Sequence, residues 1–369
     1  LIGAGLFVRS LQHVNNQRLG YDVDPVAIVE LNMRGLKLDS AHTYQLEHQL
    51  LTAATSVPGV THAAISNATP FYSFWSISLS VPGIDSVRRL GKFQVDAVSP
   101  DYFATYGTRI LRGRGFTAGD THDAPRVTVV SAAMAKRLWP GREAIGQCVH
   151  VQSDTLPCTT VVGISEDIHD RNIGGDSSTY TYYLPFEQYA GPSGLVVRTS
   201  GAAAHMVEDV RRGLQREMPG VSYVTVTPFA QIVGRRTQSW ELGATMFAAF
   251  GLLALAIAAV GLYSVIAYNV TQRTHEIGVR VALGAQVSSV MLFVVREGVV
   301  LGAVGLVIGT LASLGGARWV APLLFRESPR DPAVFVAVTV ALFAVALAAS
   351  AIPAMRAARV DPARALRTS

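Results

Sequence analysis

The chain has 369 residues, half of them hydrophobic and only 15% charged, with a net charge of +5 and a mean hydropathy of +0.32. That is too apolar for an ordinary soluble protein of this size and too polar for one wholly embedded in lipid; the apolar mass gathers after residue 244, so a large water-facing domain followed by a membrane domain is expected. The excess charge is mostly arginine, and with no basic helix carrying interleaved aromatics it points to topogenic or solvated charge and away from nucleic acid as a partner.

Leu1–Val8 is apolar but too short to span a bilayer, and no basic segment precedes it, so it does not read as a secretory signal. It is expected to be the end of a truncated transmembrane helix, with residues 1–19 covering that end and the exit segment, and the chain to be a fragment of a longer protein. Residues 20–240 read as an α+β domain. Asp39 to Thr55 has helical periodicity, Pro58-Gly59-Val60 turns into a strand over Thr61 to Ser66, and Ser76 to Val81 and Phe93 to Val98 alternate as strands do. Ser99 is a candidate cap with Pro100 at the first helical position. Arg112-Gly113-Arg114-Gly115-Phe116 is either a turn exposing two arginines or, less simply, an anion-binding loop. Val127 to Val130 reads as a buried strand, Ser131 as the cap of a helix to Leu138, and Val149–Gln152 with Thr159–Ile164 as a hairpin. Glu166-Asp167 with Asp170 is an acidic knot beside His169, read as a solvated loop rather than a metal site. Tyr180–Leu184, Leu195–Arg198 and Val221–Val226 complete the strands, with an amphipathic helix over Met206–Met218.

Residues 241–369 read as a membrane domain of three full spans, at about 245–268, 299–316 and 333–352, each close to the ~20 residues that a ~30 Å hydrocarbon core requires. Arg296-Glu297 interrupts the middle span at one edge, either as snorkelling side chains or as a buried pair. Gly302, Gly305 and Gly309 permit close helix packing, within the chain or across a dimer. No acidic or arginine residue lies in the middle of a span, which disfavours an ion-driven pump. There is no GxxxxGK[ST], HExxH or GxSxG, and the nine histidines are scattered; no catalytic residue, metal ligand or cofactor is expected.

Between the first two spans lies Thr271–Ala285, TQRTHEIGVRVALGA. Thr274 can cap a helix, Glu276 precedes Arg280 by one favourable helical ion-pair spacing, Ile277, Val281 and Gly284 share a face, and Gly284 can end it. By physics alone this is either a helix seated in the headgroups or one that presses on a partner.

Glu276-Ile277-Gly278-Val279-Arg280 with Ala282-Leu283-Gly284-Ala285, and then Ile352-Pro353-Ala354, Arg356-Ala357 and Val360-Asp361-Pro362, resemble the C-terminal membrane region of MacB/FtsX-type ABC permeases. Pro58-Gly59-Val60, Asp101-Tyr102-Phe103, Gly113-Arg114, Leu138-Trp139-Pro140-Gly141, Ile145-Gly146 and Val161-Val162-Gly163 resemble landmarks of the MacB-like periplasmic core domain. The resemblance implies a coupling segment over 271–285 in which Arg273, Glu276, Ile277, Arg280, Leu283 and Gly284 meet an ATP-binding ABC subunit. It also implies a cytoplasmic tail over 354–369, an extracytoplasmic placement of 20–240, and residence in the bacterial cytoplasmic membrane. Further implied partners are the lipid bilayer, a second permease half or a permease dimer, and a periplasmic component. MacB itself carries its ATPase ahead of the first span; LIGAGLFVRSL also resembles the start of the second half of duplicated orphan permeases.

The implied function is a permease that couples ATP hydrolysis on another subunit to movement of an outer domain, for efflux or mechanotransmission. The alternative is an outer sensor or scaffold with no ATPase. If the domain is extracytoplasmic, Cys148 and Cys158 suit a disulfide across the hairpin, the other reading being two thiols.

Overall fold

The computed structural model describes residues 1–16, 18–153, 155–169, 179–189, 191, 193–273, 287–320 and 330–358. Contacts divide them into two units, one built from described residues of 1–16 and 238–358, the other from those of 18–237.

The second unit is mixed α/β. Its strands are β1 (Val26–Asn32), β2 (Val60–Ser66), β3 (Leu79–Ser80), β4 (Lys92–Val98), β5 (Ile110–Gly113), β6 (Val127–Ser131), β7 (Cys148–Val151), β8 (Thr159–Ser165), β9 (Thr179–Pro185), β10 (Gly194–Thr199) and β11 (Tyr223–Pro228). They run in the order β11-β1-β10-β2-β4-β9-β6-β8-β7-β3, with β5 beside β8. The ladder narrows at one place: β2 and β4 share only Ser66 opposite Val98. Two lobes meet at this waist, each with its own core.

In the first lobe, β11-β1-β10-β2 is antiparallel throughout. Helices α2 (Ser40–Thr55) and α5 (Val207–Gln215) cover it. Asp39 caps α2 by accepting from the His42 N–H at 2.8 Å, and Leu46, Leu50 and Ala54, four residues apart, are buried on one stripe. They pack on Ala27, Val29, Leu195, Val197, Val210 and Leu214. In the second lobe β4 runs parallel to β9, and β6 parallel to β8. Every residue of β6 is buried. Helix α4 (Ala132–Leu138) starts where Ser131 accepts from the Met134 N–H, and Met134, Leu138, Val130, Tyr182 and Leu184 share a core. Helix α3 (Tyr102–Tyr106) follows β4 and precedes β5.

Three expectations change. The helix after Ser99-Pro100 starts at Tyr102 with Asp101 at its cap position; the Ser99 hydroxyl instead accepts from the Ile65 N–H at 2.9 Å, serving the adjacent strand. Only Leu79–Ser80 of the 76–81 stretch pairs as a strand. The arginines of the Gly-rich stretch are already partnered: Arg112 pairs with Glu143, and Arg114 grips Asp120 with two bonds of 2.7 and 2.8 Å. An anion would have to displace carboxylates there.

The helical unit holds α1 (Ile2–Asn16), the later part of α6 (Phe229–Gln272), α7 (Val287–Val320) and α8 (Pro332–Ala358). Three of these helices have windows long and apolar enough to cross a membrane, with mean hydropathies of 2.3, 2.0 and 2.5. Helix α1 is longer than its apolar start suggested, continuing through residues whose polarity had marked an exit segment. Phe7 stacks on Phe247 at 4.3 Å, and Arg9 pairs with Asp331 at 2.8 Å. Asp331 also accepts from the Ala333 N–H at the start of α8. The later half of α1 and the start of α8 therefore lie at one level of the unit.

Candidate functional site

Two clusters stand out among the described residues, one in each unit.

In the helical unit, α6, α7 and α8 converge on Gly298. A Cβ at this position would overlap the Ser350 hydroxyl and come within 2.9 Å of Ile266 Cδ1. Ser350 is fully buried and spends its proton on the Ala346 carbonyl four residues back, at 2.6 Å. Ile266 is buried with Leu262, Val270 and Val295 around it. Of the three glycines singled out by spacing, Gly302 sits against Ala346, where a Cβ would lie at 3.4 Å; Gly305 and Gly309 have nothing within 4 Å of that position. The tightest approach on this helix is thus one turn before Gly302. Arg273 follows α6, its N–H reaching the Asn269 and Val270 carbonyls at 3.2 Å. Glu276, Ile277, Arg280, Leu283 and Gly284 lie outside the described residues, as do Asp170 and the tail from residue 359. Arg296 is exposed at the edge of its span.

In the α/β unit, the chain enters at Arg18 and leaves along the start of α6, and both ends are fastened to the same place. Glu166 is the hub. Arg18 donates to its two oxygens at 2.9 and 2.8 Å, Arg109 adds side-chain bonds of 3.1 and 2.9 Å, and the Arg109 N–H donates at 2.8 Å. Burial by itself would raise this carboxyl, but the bonds from Arg18 and Arg109 outweigh it and hold it at about 2. The acidic knot expected to be a solvated loop is therefore a buried clamp at Glu166, and Asp167 accepts from the Ala133 N–H in the first turn of α4. Among the described residues no group of acids, histidines and cysteines is arranged to hold a metal.

Four residues on from Arg18, Asp22 accepts from Arg198 at 2.7 Å, its N–H reaches the Tyr106 carbonyl at 2.8 Å, and Thr108 donates to the Gly20 carbonyl at 2.8 Å. Gly107 ends α3 at φ +70°, and a Cβ there would strike the Asp22 carboxylate. Only glycine satisfies both demands at once. Above the clamp, Tyr21, Tyr106 and Phe229 meet edge to face or tilted at 5.1 to 5.7 Å, and Tyr102 joins Tyr106 at 4.9 Å.

Behind these rings lies Asp96, 5% exposed. Burial raises its carboxyl to about 7 despite bonds from Ser66, Tyr102 and the backbone of Ala68 and Asn67. Arg18, Arg109, Asp22, Arg198 and Asp96 have no signature in the sequence; Glu166 alone had drawn notice, for its acidic neighbours. Cys148 and Cys158 are joined across the β7–β8 hairpin, with Cα atoms 5.5 Å apart.

Comparison with known proteins gives a consistent picture. The model of the MacB-like periplasmic core domain matches residues 2–214, and that of the FtsX-like permease C-terminal region matches residues 248–362. A probable syringafactin export ATP-binding/permease protein, SyfD of Pseudomonas syringae pv. syringae, is 30% identical over 286 residues, 74% of this chain and 42% of that protein. A macrolide export ATP-binding/permease protein MacB of Paracoccus denitrificans is 26% identical over 292 residues, again 74% and 42%. An uncharacterized ABC transporter permease of Bacillus subtilis, YvrN, is 27% identical over 294 residues, 74% of this chain and 70% of that one. The chain thus spans less than half the length of the first two. Among solved structures, the periplasmic region of MacB from Actinobacillus actinomycetemcomitans aligns over 61% of this chain and 97% of its own, with 13% identity and a TM-score of 0.42.

Proposed function

Because this chain belongs to the MacB/FtsX-type ABC transporter permease family, we propose that it is the membrane subunit through which an ATP-hydrolysing partner moves the α/β unit, in the service of efflux. What carries the reading is the succession of the two family regions along one chain, 2–214 and then 248–362. A permease of this kind does no chemistry. Its work is to convert a push at one face of the membrane into a displacement at the other.

The push arrives on 271–285. Glu276 and Arg280 supply the charged contacts with the partner, Ile277 and Leu283 the apolar ones, and Arg273 and Gly284 flank them. This segment follows α6 and precedes α7, so a force on it acts first on the helices that meet at Gly298, Ile266 and Ser350. In the α/β unit, the Arg18–Glu166–Arg109 clamp and the Phe229 ring hold the two chain ends to one rigid patch, so that displacement of either end carries the unit along. The ATP-binding subunit is separate from these residues, which contain no P-loop, and the assembly includes a second permease half or a second copy. The α/β unit stands outside the cytoplasmic membrane.

The test is to purify the full protein in mild detergent and assay for a co-purifying ATPase, in parallel with a Glu276→Lys/Arg280→Glu double variant. ATPase activity that accompanies the wild type and is lost from the variant supports the coupling assignment. Wild-type protein that carries no ATPase under several conditions overturns it in favour of a sensor or scaffold.

A further inference from the structure

The segment 67–75 departs from the rest of the α/β unit in where it puts its rings. Thr69–Ser73 closes a tight turn, the Tyr72 and Ser73 N–H groups donating to the Thr69 carbonyl at 3.0 and 2.9 Å and the Thr69 N–H to the Ser73 hydroxyl at 2.9 Å. Phe71 takes φ +65°, the left-handed region that a bulky residue avoids. The consequence is a division of the aromatics. Phe71 points inward against Phe229 at 6.2 Å, while Tyr72, Phe74 and Trp75 are 70, 53 and 44% exposed. The Trp75 indole N–H is satisfied by the Asn67 carbonyl at 2.6 Å, so its exposed face is the apolar one.

The place of this loop matters as much as its composition. Arg236 donates to the Phe71 carbonyl, and Phe229 packs on both Phe71 and Tyr21. The loop therefore sits at the end of the α/β unit where the chain both enters and leaves. Arg236 is nine residues ahead of Thr245, where the apolar run begins, a reach of no more than about 30 Å of chain. Arg236 is exposed on that stretch and bonded to the loop, placing positive charge beside the rings. Tyrosine and tryptophan with an apolar body and a polar tip, next to arginine, are the side chains that favour the headgroup layer of a bilayer, where anionic lipid adds attraction.

We propose that Tyr72, Phe74 and Trp75 seat in the headgroup layer of the membrane, so that the α/β unit rests on lipid through this loop. The proposal depends on the membrane placement of the apolar helices and on no property of the ATPase. Its occupant is lipid, not a partner protein.

The test uses the full protein in nanodiscs of phosphatidylcholine and phosphatidylglycerol. Both native cysteines are in the disulfide, so a single introduced thiol takes a fluorophore cleanly. The probe goes on Tyr72→Cys. One control goes on Val221→Cys, equally exposed at 70% but separated from Phe229 by the length of β11. The other goes on Ile257→Cys, 65% exposed in the apolar stretch of α6. Nitroxide lipids labelled at the headgroup should quench most of the Tyr72→Cys emission and leave Val221→Cys unchanged, while chain-labelled lipids quench Ile257→Cys. Quenching at Ile257→Cys with none at Tyr72→Cys overturns the proposal and leaves the membrane reading intact. Absence of quenching at Ile257→Cys removes the membrane reading and the proposal with it. A Tyr72→Cys probe shielded from water but not quenched by either lipid would mean that protein covers the loop, which also overturns it.

Discussion

The two units solve opposite solvent problems with the same chain. In the α/β unit, apolar side chains are withdrawn into two cores, and two carboxyl groups that go in with them are tied down, Glu166 by two arginines and Asp96 by hydroxyl and backbone donors. In the helical unit only 11, 6 and 17% of the three apolar windows is buried against protein, and Phe250, Leu252, Ile257 and Val307 stand outward. An apolar surface on that scale is untenable in water and neutral in hydrocarbon. The comparison shows where each unit keeps its stability: the first in packing and paired polar groups, the second in its lipid surroundings and a few close helix contacts.

The largest expected effect tests that contrast directly. Leu50 is fully buried on α2, and Leu252 is 68% exposed on α6. Leu50→Ala should cost about 2–5 kcal/mol through lost contacts and the cavity left behind, read as a lower denaturation midpoint of the α/β unit. Leu252→Ala should stay within about 0.5 kcal/mol of wild type in the same detergent. Equal losses at the two positions would mean that Leu252 is covered by protein.

Next in size is a dependence on pH carried by two carboxyls of the α/β unit. Asp96 keeps its proton up to about 7 in the native state, whereas in an unfolded chain it ionises near ~3.9. Between these values the native state binds more protons than the unfolded one, so stability is greatest below the window and falls as pH rises through it, by roughly 3–4 kcal/mol at most. Asp96→Asn should flatten this slope. Glu166 works in the other direction: held at about 2, it contributes stability above its unfolded value near ~4.3 and loses it as pH falls toward 2. Unfolding followed from pH 3 to 8 in wild type, Asp96→Asn and Glu166→Gln separates the two carboxyls, and an Asp96→Asn curve with the wild-type slope would refute the assignment.

Much of this was legible in the sequence, for local reasons. Asp39 before a helical stripe, Ser131 before α4 and the three long apolar runs each announce themselves within a few residues. Strand β1 escaped because its first four residues are all buried; a strand lying between β10 and β11 shows a continuous apolar run instead of alternation. Strand β5 was masked by glycines and arginines that read as a loop. The Glu166 clamp could not be read at all, since Arg18 and Glu166 are 148 residues apart and nothing in either neighbourhood names the other. Asp96 is similar: it alternates with Lys92 and Gln94 along β4 as a solvent-facing side would, and its burial depends on the rings that α3 and β9 bring over it.

The smallest effect is also the one that most sharpens the comparison, because it asks whether the helical unit has any point packed like the α/β core. Gly298 is such a point, with Ser350 and Ile266 occupying the space a side chain would need; Gly305, two turns along the same helix, has open space at its Cβ position. Gly298→Leu should therefore lower the thermal midpoint in detergent by the equivalent of about 1–3 kcal/mol, the usual cost of forcing extra atoms into a packed site. Gly305→Ala should leave it unchanged. If Gly305→Ala instead weakens the assembly while leaving the monomer's midpoint alone, the open glycine face is where a second permease copy or half lies, and the small-residue spacing on α7 serves association between chains. If both variants are neutral, the three helices do not meet at Gly298, and the proposed path from 271–285 into the membrane would have to run through other contacts.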